Sequence, residues 1–247
     1  MKEKIYIIDI ANCNIPCRFL FEKTKDHFRN YCREEDRLQN AIGVCQNDLN
    51  QVRHLYPENM TDDVLEYNEL TYEISEKIIE MNRCIFHGLA FIWRGKAWIF
   101  TGNSGVGKTT QYVRWKQVFG NEIKLLNGDK PVLEFCENGQ IMVHSSPWRG
   151  KENIGTDEKA VLGGIICLKK DNLNKLIKME KKDAVKFLFL QFIFQGKKTD
   201  TIQKVCRMEE QILNKIPVYQ FNNCGNEEAA IIAHDQIIRM EEIENGL

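Results

Sequence analysis

Gly102-Asn-Ser-Gly-Val-Gly-Lys-Thr109 carries glycines, a lysine and a hydroxyl at the spacing G-x-x-x-x-G-K-[ST], a pattern that wraps backbone around phosphate. Gly102, Gly105 and Gly107 open backbone angles closed to other residues, so the N–H groups of Asn103, Ser104 and Val106 can turn inward on an anion. A helix starting at about Lys108 points its positive end at the same place, with Thr110 in its first turn. Lys108 supplies a mobile cation for the β- and γ-phosphates of a nucleotide, and the Thr109 hydroxyl is placed to ligate Mg²⁺. Residues 102–110 are therefore expected to bind the nucleotide.

Further along, Asp129 sits at the end of the first strand of the segment Ile123-Lys-Leu-Leu-Asn-Gly-Asp-Lys-Pro-Val-Leu-Glu-Phe135, which reads as strand, tight turn at Asn127-Gly128, strand. A carboxylate there can hold Mg²⁺ or take a proton from an attacking hydroxyl; the plain alternative is a turn aspartate. Arg149, Lys151 and Glu152 crowd the loop Ser145–Gly155. Two cations near a triphosphate would stabilise charge moving to the leaving group, and otherwise they form a solvated basic turn. His87 is expected inside a strand with Ile85, Leu89 and Phe91, where a core histidine is the default.

The elements that must position these residues are legible in part. Trp98–Thr101 is a β-prone run feeding the loop, and Lys108–Phe119 is free of Pro and Gly, with Gly120 at the C-cap. Cys84–Trp93, Arg94-Gly95 and Lys96–Phe100 read as a hairpin that ends in the loop. Ile141–His144 and Leu162–Leu168 read as strands, Asp183–Gln195 as an apolar-faced helix. Ile216–Phe221 is a last strand, its Pro marking an edge or a start, and Glu227–Glu244 is a closing helix. Ahead of these, Ile5–Ile10 and Ile15–Phe21 suggest strands, residues 28–53 give no assignment, and 62–81 is helical with an interruption near Leu70-Thr-Tyr72. This predicts an α/β protein with a core over 83–247 and a smaller α+β lobe over 1–82. That lobe is either a structural layer or one wall of a second-substrate groove.

Composition narrows the partners. Of 247 residues, 34 are basic and 35 acidic, so neither nucleic acid nor an anionic membrane surface is expected. The N-terminal apolar run, broken by Asp9, is too short for a signal peptide, and Phe187–Phe194 is too short to span a bilayer. Nine scattered cysteines read as reduced cytosolic thiols. Cys13-x3-Cys17 lacks a second Cys/His pair with zinc-like spacing.

His87, the loop 102–109, Leu125-Leu-Asn-Gly-Asp-Lys-Pro131, Pro147-Trp-Arg-Gly-Lys151 and Ile216-Pro-Val-Tyr219 stand in an order that resembles the HPr kinase-related branch of the phosphoenolpyruvate carboxykinase-like P-loop proteins. The resemblance covers roughly 83–247. It implies a mixed-sheet core with flanking helices, ATP and Mg²⁺ as donor and cofactor, and a cytoplasmic, often oligomeric kinase that phosphorylates a hydroxyl. Peptide-tailoring kinases of the lasso-precursor type are relatives of this size. HPr kinases carry a histidine at the place of His87, and two adjacent aspartates where this chain has Gly128-Asp129. One carboxylate must then serve both metal and proton, or His87 or Glu152 is the base. What carries over is a kinase, not the bifunctional kinase/phosphorylase chemistry or HPr as substrate. Expected catalytic residues are thus Asp129, His87, Lys108, Arg149 and Lys151, with Thr109 and Asp129 on the metal. The acceptor is a Ser/Thr hydroxyl of a peptide or protein, or a small hydroxy metabolite; a nucleotide sensor without phosphotransfer is the third reading. A GTPase is not expected, since neither Asn-Lys-x-Asp nor Asp-x-x-Gly follows the loop.

Overall fold

The computed structural model describes residues 4–35, 40–150, 155–244 and 246. Its opening strands, β1 (Tyr6–Ile10) and β2 (Cys13–Cys17), form a hairpin turned by Ala11 and Asn12 at positive φ. The second strand starts earlier and ends earlier than Ile15–Phe21. It stops because the Leu20 and Phe21 N–H groups donate to the Glu66 carboxylate, which diverts the chain into helix α1 (Glu22–His27). Strand β3 (Cys32–Glu34) then joins the free side of β1, and helix α2 (Gln46–Val52) follows.

Helix α3 (Asp62–Glu80) runs without the expected interruption. The Thr71 hydroxyl bonds back to the Tyr67 carbonyl at 2.7 Å, so a β-branched residue is absorbed into the helix. Leu65, Leu70, Ile74 and Ile78 are buried on one face. They share a core with Ile85, Val132 and Trp148 from the remainder of the chain.

The strands that follow are β4 (Arg83–Phe86), β5 (Leu89–Trp93) and β6 (Lys96–Thr101). Helix α4 (Lys108–Phe119) leads to β7 (Lys124–Asn127), β8 (Val132–Phe135), β9 (Ile141–His144), β10 (Lys159–Lys170) and β11 (Lys175–Lys178). Then come α5 (Lys181–Phe189), β12 (Phe192–Ile193), α6 (Thr199–Lys215), β13 (Val218–Asn223) and α7 (Glu228–Glu244). The strands build a ten-stranded mixed sheet in the order β12-β4-β8-β9-β10-β6-β5-β7, with β13 between β10 and β11. Strands β6, β10 and β13 run parallel. Helices α5 and α6 share one core with the sheet, through Ala184, Leu188, Val205, Met208 and Ile212. Helices α4 and α7 share another, built on Trp93, Phe100, Trp115 and Phe221. No helix among the described residues is long and apolar enough to cross a membrane.

Several expectations change here. The run Cys84–Trp93 is two strands, not one: β4 pairs β8, while β5 pairs β6 and β7. The chain breaks at His87-Gly88, so His87 is not inside a strand. Gly88 permits the crossing, because a Cβ there would stand 2.5 Å from Ile99 Cγ2 and 2.9 Å from the Phe100 carbonyl oxygen. The helix read over Asp183–Gln195 ends at Phe189, and Phe192-Ile193 instead pairs with Phe86 and Ile85. The strand, turn and strand read over Ile123–Phe135 are present as β7 and β8, which pair with different neighbours in the sheet. Helix α6 was not anticipated, although Thr201, Val205, Met208 and Ile212 fall on one buried helical stripe. Pro217 marks the start of β13, which lies inside the sheet rather than at an edge.

Candidate functional site

The glycine loop leaves the C-terminal end of β6, which is held between parallel β10 and antiparallel β5. Gly102, Gly105 and Gly107 take φ values of 135°, 74° and 107°. No side chain among the described residues caps α4, whose N-cap is Gly107. Its leading N–H groups are thus available to an anion. Lys108 Nζ folds back on the loop, 3.0 Å from the Gly102 carbonyl and 3.4 Å from that of Asn103. Thr109 and Thr110 are exposed beside it.

Across the cleft, Asn127 builds the turn that carries Asp129. Its Oδ1 accepts the N–H groups of Asp129 at 3.0 Å and Lys130 at 2.9 Å, and its Nδ2 donates to Ser146 Oγ at 3.0 Å. The Gly88 N–H donates to the Asp129 carbonyl at 2.8 Å, tying this turn to the His87-Gly88 break. His87 Nε2 consequently stands 3.8 Å from Asp129 Oδ1. One cleft of about 660 Å³ is lined by His87, Lys108, Thr109, Asp129 and Arg149 among others.

The charges are coupled. Burial, and then the nearby Lys108 ammonium, hold the His87 imidazole below its ordinary range, against the pull of Asp129. Burial likewise lowers Lys108. Lys130 Nζ pairs with Asp129 Oδ2, so the lysine of Asn-Gly-Asp-Lys-Pro is itself the cation beside this carboxylate. Tyr67 of α3 is raised by burial first and by the Asp129 carboxylate second, so the first 82 residues reach the neighbourhood of the site.

Arg149 is committed differently from the expected phosphate clamp. Its Nη2 donates to the Tyr31 hydroxyl at 2.7 Å and pairs with Asp157, and its Nη1 donates to the Gly155 carbonyl at 3.3 Å. It lines the cleft, but a phosphate would have to compete for it. Lys151 and Glu152 lie outside the described residues. The preceding Trp148 is buried edge-on to Phe28 and donates Nε1–H to Thr71 Oγ1 at 2.8 Å, pinning the 145–150 loop to α3. Trp148→Ala is expected to cost about 3–5 kcal/mol of stability by emptying that pocket. Trp148→Phe keeps most of the ring and should cost about 1 kcal/mol for the lost hydrogen bond. Urea unfolding of both variants checks the order.

The residues fit a triphosphate and a hard cation. Nothing stands within 4 Å of a Cβ built on Gly105, the helix amides are uncapped, and Thr109 and Asp129 supply oxygen donors to one cleft. No protein-family model matches the chain, and no curated protein does. Among solved structures the chain is similar to the HPr(Ser) kinase/phosphatase from Coxiella burnetii, with TM-score 0.39 and 12% identity, covering 66% of this chain and 95% of that one. At that score the likeness carries no inference about chemistry.

Proposed function

We propose that this protein is an ATP- and Mg²⁺-dependent kinase that moves the γ-phosphoryl group of ATP to a serine or threonine hydroxyl of a peptide or protein. The supporting observation is a proton-accepting pair, His87 Nε2 and Asp129 Oδ1 at 3.8 Å, in the same cleft as an uncapped glycine loop and its lysine. The loop amides and Lys108 bind the β- and γ-phosphates and hold the donor in line. Thr109 and Asp129 would hold Mg²⁺, which when bound screens charge on the phosphate oxygens. An acceptor hydroxyl fits between His87 and Asp129, since an oxygen about 2.8 Å from each spans their separation. As the acceptor oxygen bonds to the γ-phosphorus, the bond to the bridging oxygen breaks and ADP leaves. The hydroxyl proton passes to His87 or Asp129. Asn103–Gly105 and Thr109–Thr110 are exposed, so the cleft opens to solvent along the loop, which favours an acceptor too large to be enclosed.

The test is incubation of the protein with γ-labelled ATP and Mg²⁺ against a panel of hydroxyl-bearing peptides and metabolites. Acid-stable label on a peptide Ser or Thr is expected; label on a metabolite alone would move the acceptor class. Tight ATP binding with no transfer would leave a nucleotide sensor. The pH profile gives a second check. His87 accepts a proton only when neutral, so activity is present above its pKa and lost as pH falls through it. Because that pKa is lowered from 6.5, the acid limb of kcat/KM is expected below pH 6.5, and His87→Gln should remove it.

A further inference from the structure

The end of β6 opposite the glycine loop opens into a second cleft of about 600 Å³, lined by Arg94, Lys96, Trp98, Gly163, Lys215 and Glu241 among others. Two glycines inside a strand build its wall. Strand β10 is irregular between Leu162 and Gly164 where it pairs with β6, and the Trp98 ring lies against those glycines. A Cβ on Gly164 would stand 2.3 Å from Trp98 Cζ3, and one on Gly163 would stand 2.8 Å from Lys96 Cβ and 3.1 Å from Trp98 Nε1. Glycine in a strand interior weakens it and marks a close approach. Here the approach seats an indole N–H and a lysine stem side by side.

Trp98 is 2% exposed and stacks on Tyr219, with ring centroids 6.3 Å apart. A buried indole N–H ordinarily finds an acceptor. That of Trp98 has none among the described residues, and its place at Gly163 puts it on the cleft wall. The Lys96 ammonium has no carboxylate partner among them either. Lys215 donates to the Gly139 carbonyl at 2.7 Å, again without a carboxylate. Arg94 is neutralised by Glu241 at 3.0 Å. The planar fork that grips a carboxylate at two points is therefore engaged. The ammonium point charges and the single N–H that remain suit the three oxygens of a phosphate.

We propose that this cleft binds the phosphate monoester of a small molecule, with Trp98 Nε1–H donating to one phosphate oxygen and Lys96 and Lys215 facing the others. The volume leaves room for an organic group beyond the phosphate, within the roughly 300–1,000 Å³ of small-ligand sites. The proposal does not depend on the reading of the glycine loop, which leaves the other end of the same strand.

The test is nitrogen-15 NMR of the indole N–H groups in full-length, tryptophan-labelled protein, titrated at constant ionic strength with glycerol phosphate, inorganic phosphate and acetate. The Trp98 peak is identified by its loss in Trp98→Phe, or by sequential assignment if that variant does not fold. Glycerol phosphate is expected to move the peak saturably and to bind more tightly than inorganic phosphate, while acetate leaves it in place. Lys96→Gln, at an exposed position, should weaken the ester about tenfold or more, as loss of one charge-assisted contact does. Lys108→Met should leave the Trp98 response as it is. A response abolished in Lys108→Met would mean that the peak reports phosphate in the glycine loop, and would overturn the site. An unmoved Trp98 peak, an equal response to acetate, or wild-type affinity in Lys96→Gln also sinks the proposal. Inorganic phosphate bound as tightly as the ester would reject an organic ligand.

Discussion

Asp129→Asn is expected to lower kcat for phosphoryl transfer by roughly 10²- to 10⁴-fold, the range lost with a positioned acid or base, while the fold survives. The backbone of residue 129 is held independently of its side chain, through Asn127 Oδ1 and the Gly88 N–H. The amide therefore occupies the same place. It can neither take a proton nor carry the charge that faces Lys130 and His87. It is also a poorer oxygen donor to a hard cation, so the Mg²⁺ concentration for half-maximal rate should rise together with the fall in kcat. Steady-state kinetics across a Mg²⁺ titration, with a thermal melt as the folding control, decides it. Unchanged turnover in Asp129→Asn would remove this carboxylate from the chemistry.

Lys108→Met should be about as severe, but through a different parameter. Lys108 has no carboxylate partner within ion-pair range among the described residues; its Nζ rests on two loop carbonyls. The ammonium is thus free to reach a phosphate, and burial makes its charge count for more than in water. Loss of one preorganised charge-stabilising group costs roughly 10²–10³ in kcat. Nucleotide affinity should fall as well, since on the proposed reading the lysine would meet the phosphates both before and during transfer. Calorimetry with ATP-Mg²⁺ and the nucleotide-induced shift in melting temperature measure that part. A variant that binds ATP as the wild type does and turns over at full rate would remove Lys108 from both binding and catalysis. Methionine keeps the aliphatic stem, so packing is preserved.

The loop was legible because its signal is local. Glycines at 102, 105 and 107 between a β-prone run and a Pro-free helix leave few other structures open, and β6 and α4 lie where that run predicts. Asp129 was legible for the same reason: Asn127-Gly128 is a turn by residue type. His87 was named from the sequence, but its setting was misplaced. Alternation over Cys84–Trp93 is the same for one strand as for two, and the break at Gly88 depends on Ile99 and Phe100 standing under it. The apolar run after Asp183 was misread likewise, because periodicity cannot separate a helix end from a two-residue strand whose pairing partner, β4, lies a hundred residues earlier.

By itself, then, the chain determined a glycine loop, the turn beside it, and most of the flanking elements, all set by backbone propensities within about a dozen residues. Only the tertiary structure decided that His87 faces Asp129 and that Arg149 is spent on Tyr31. Those are meetings between segments distant in sequence. They are fixed by strand register and by which buried polar groups find partners, and no local pattern of residues encodes either.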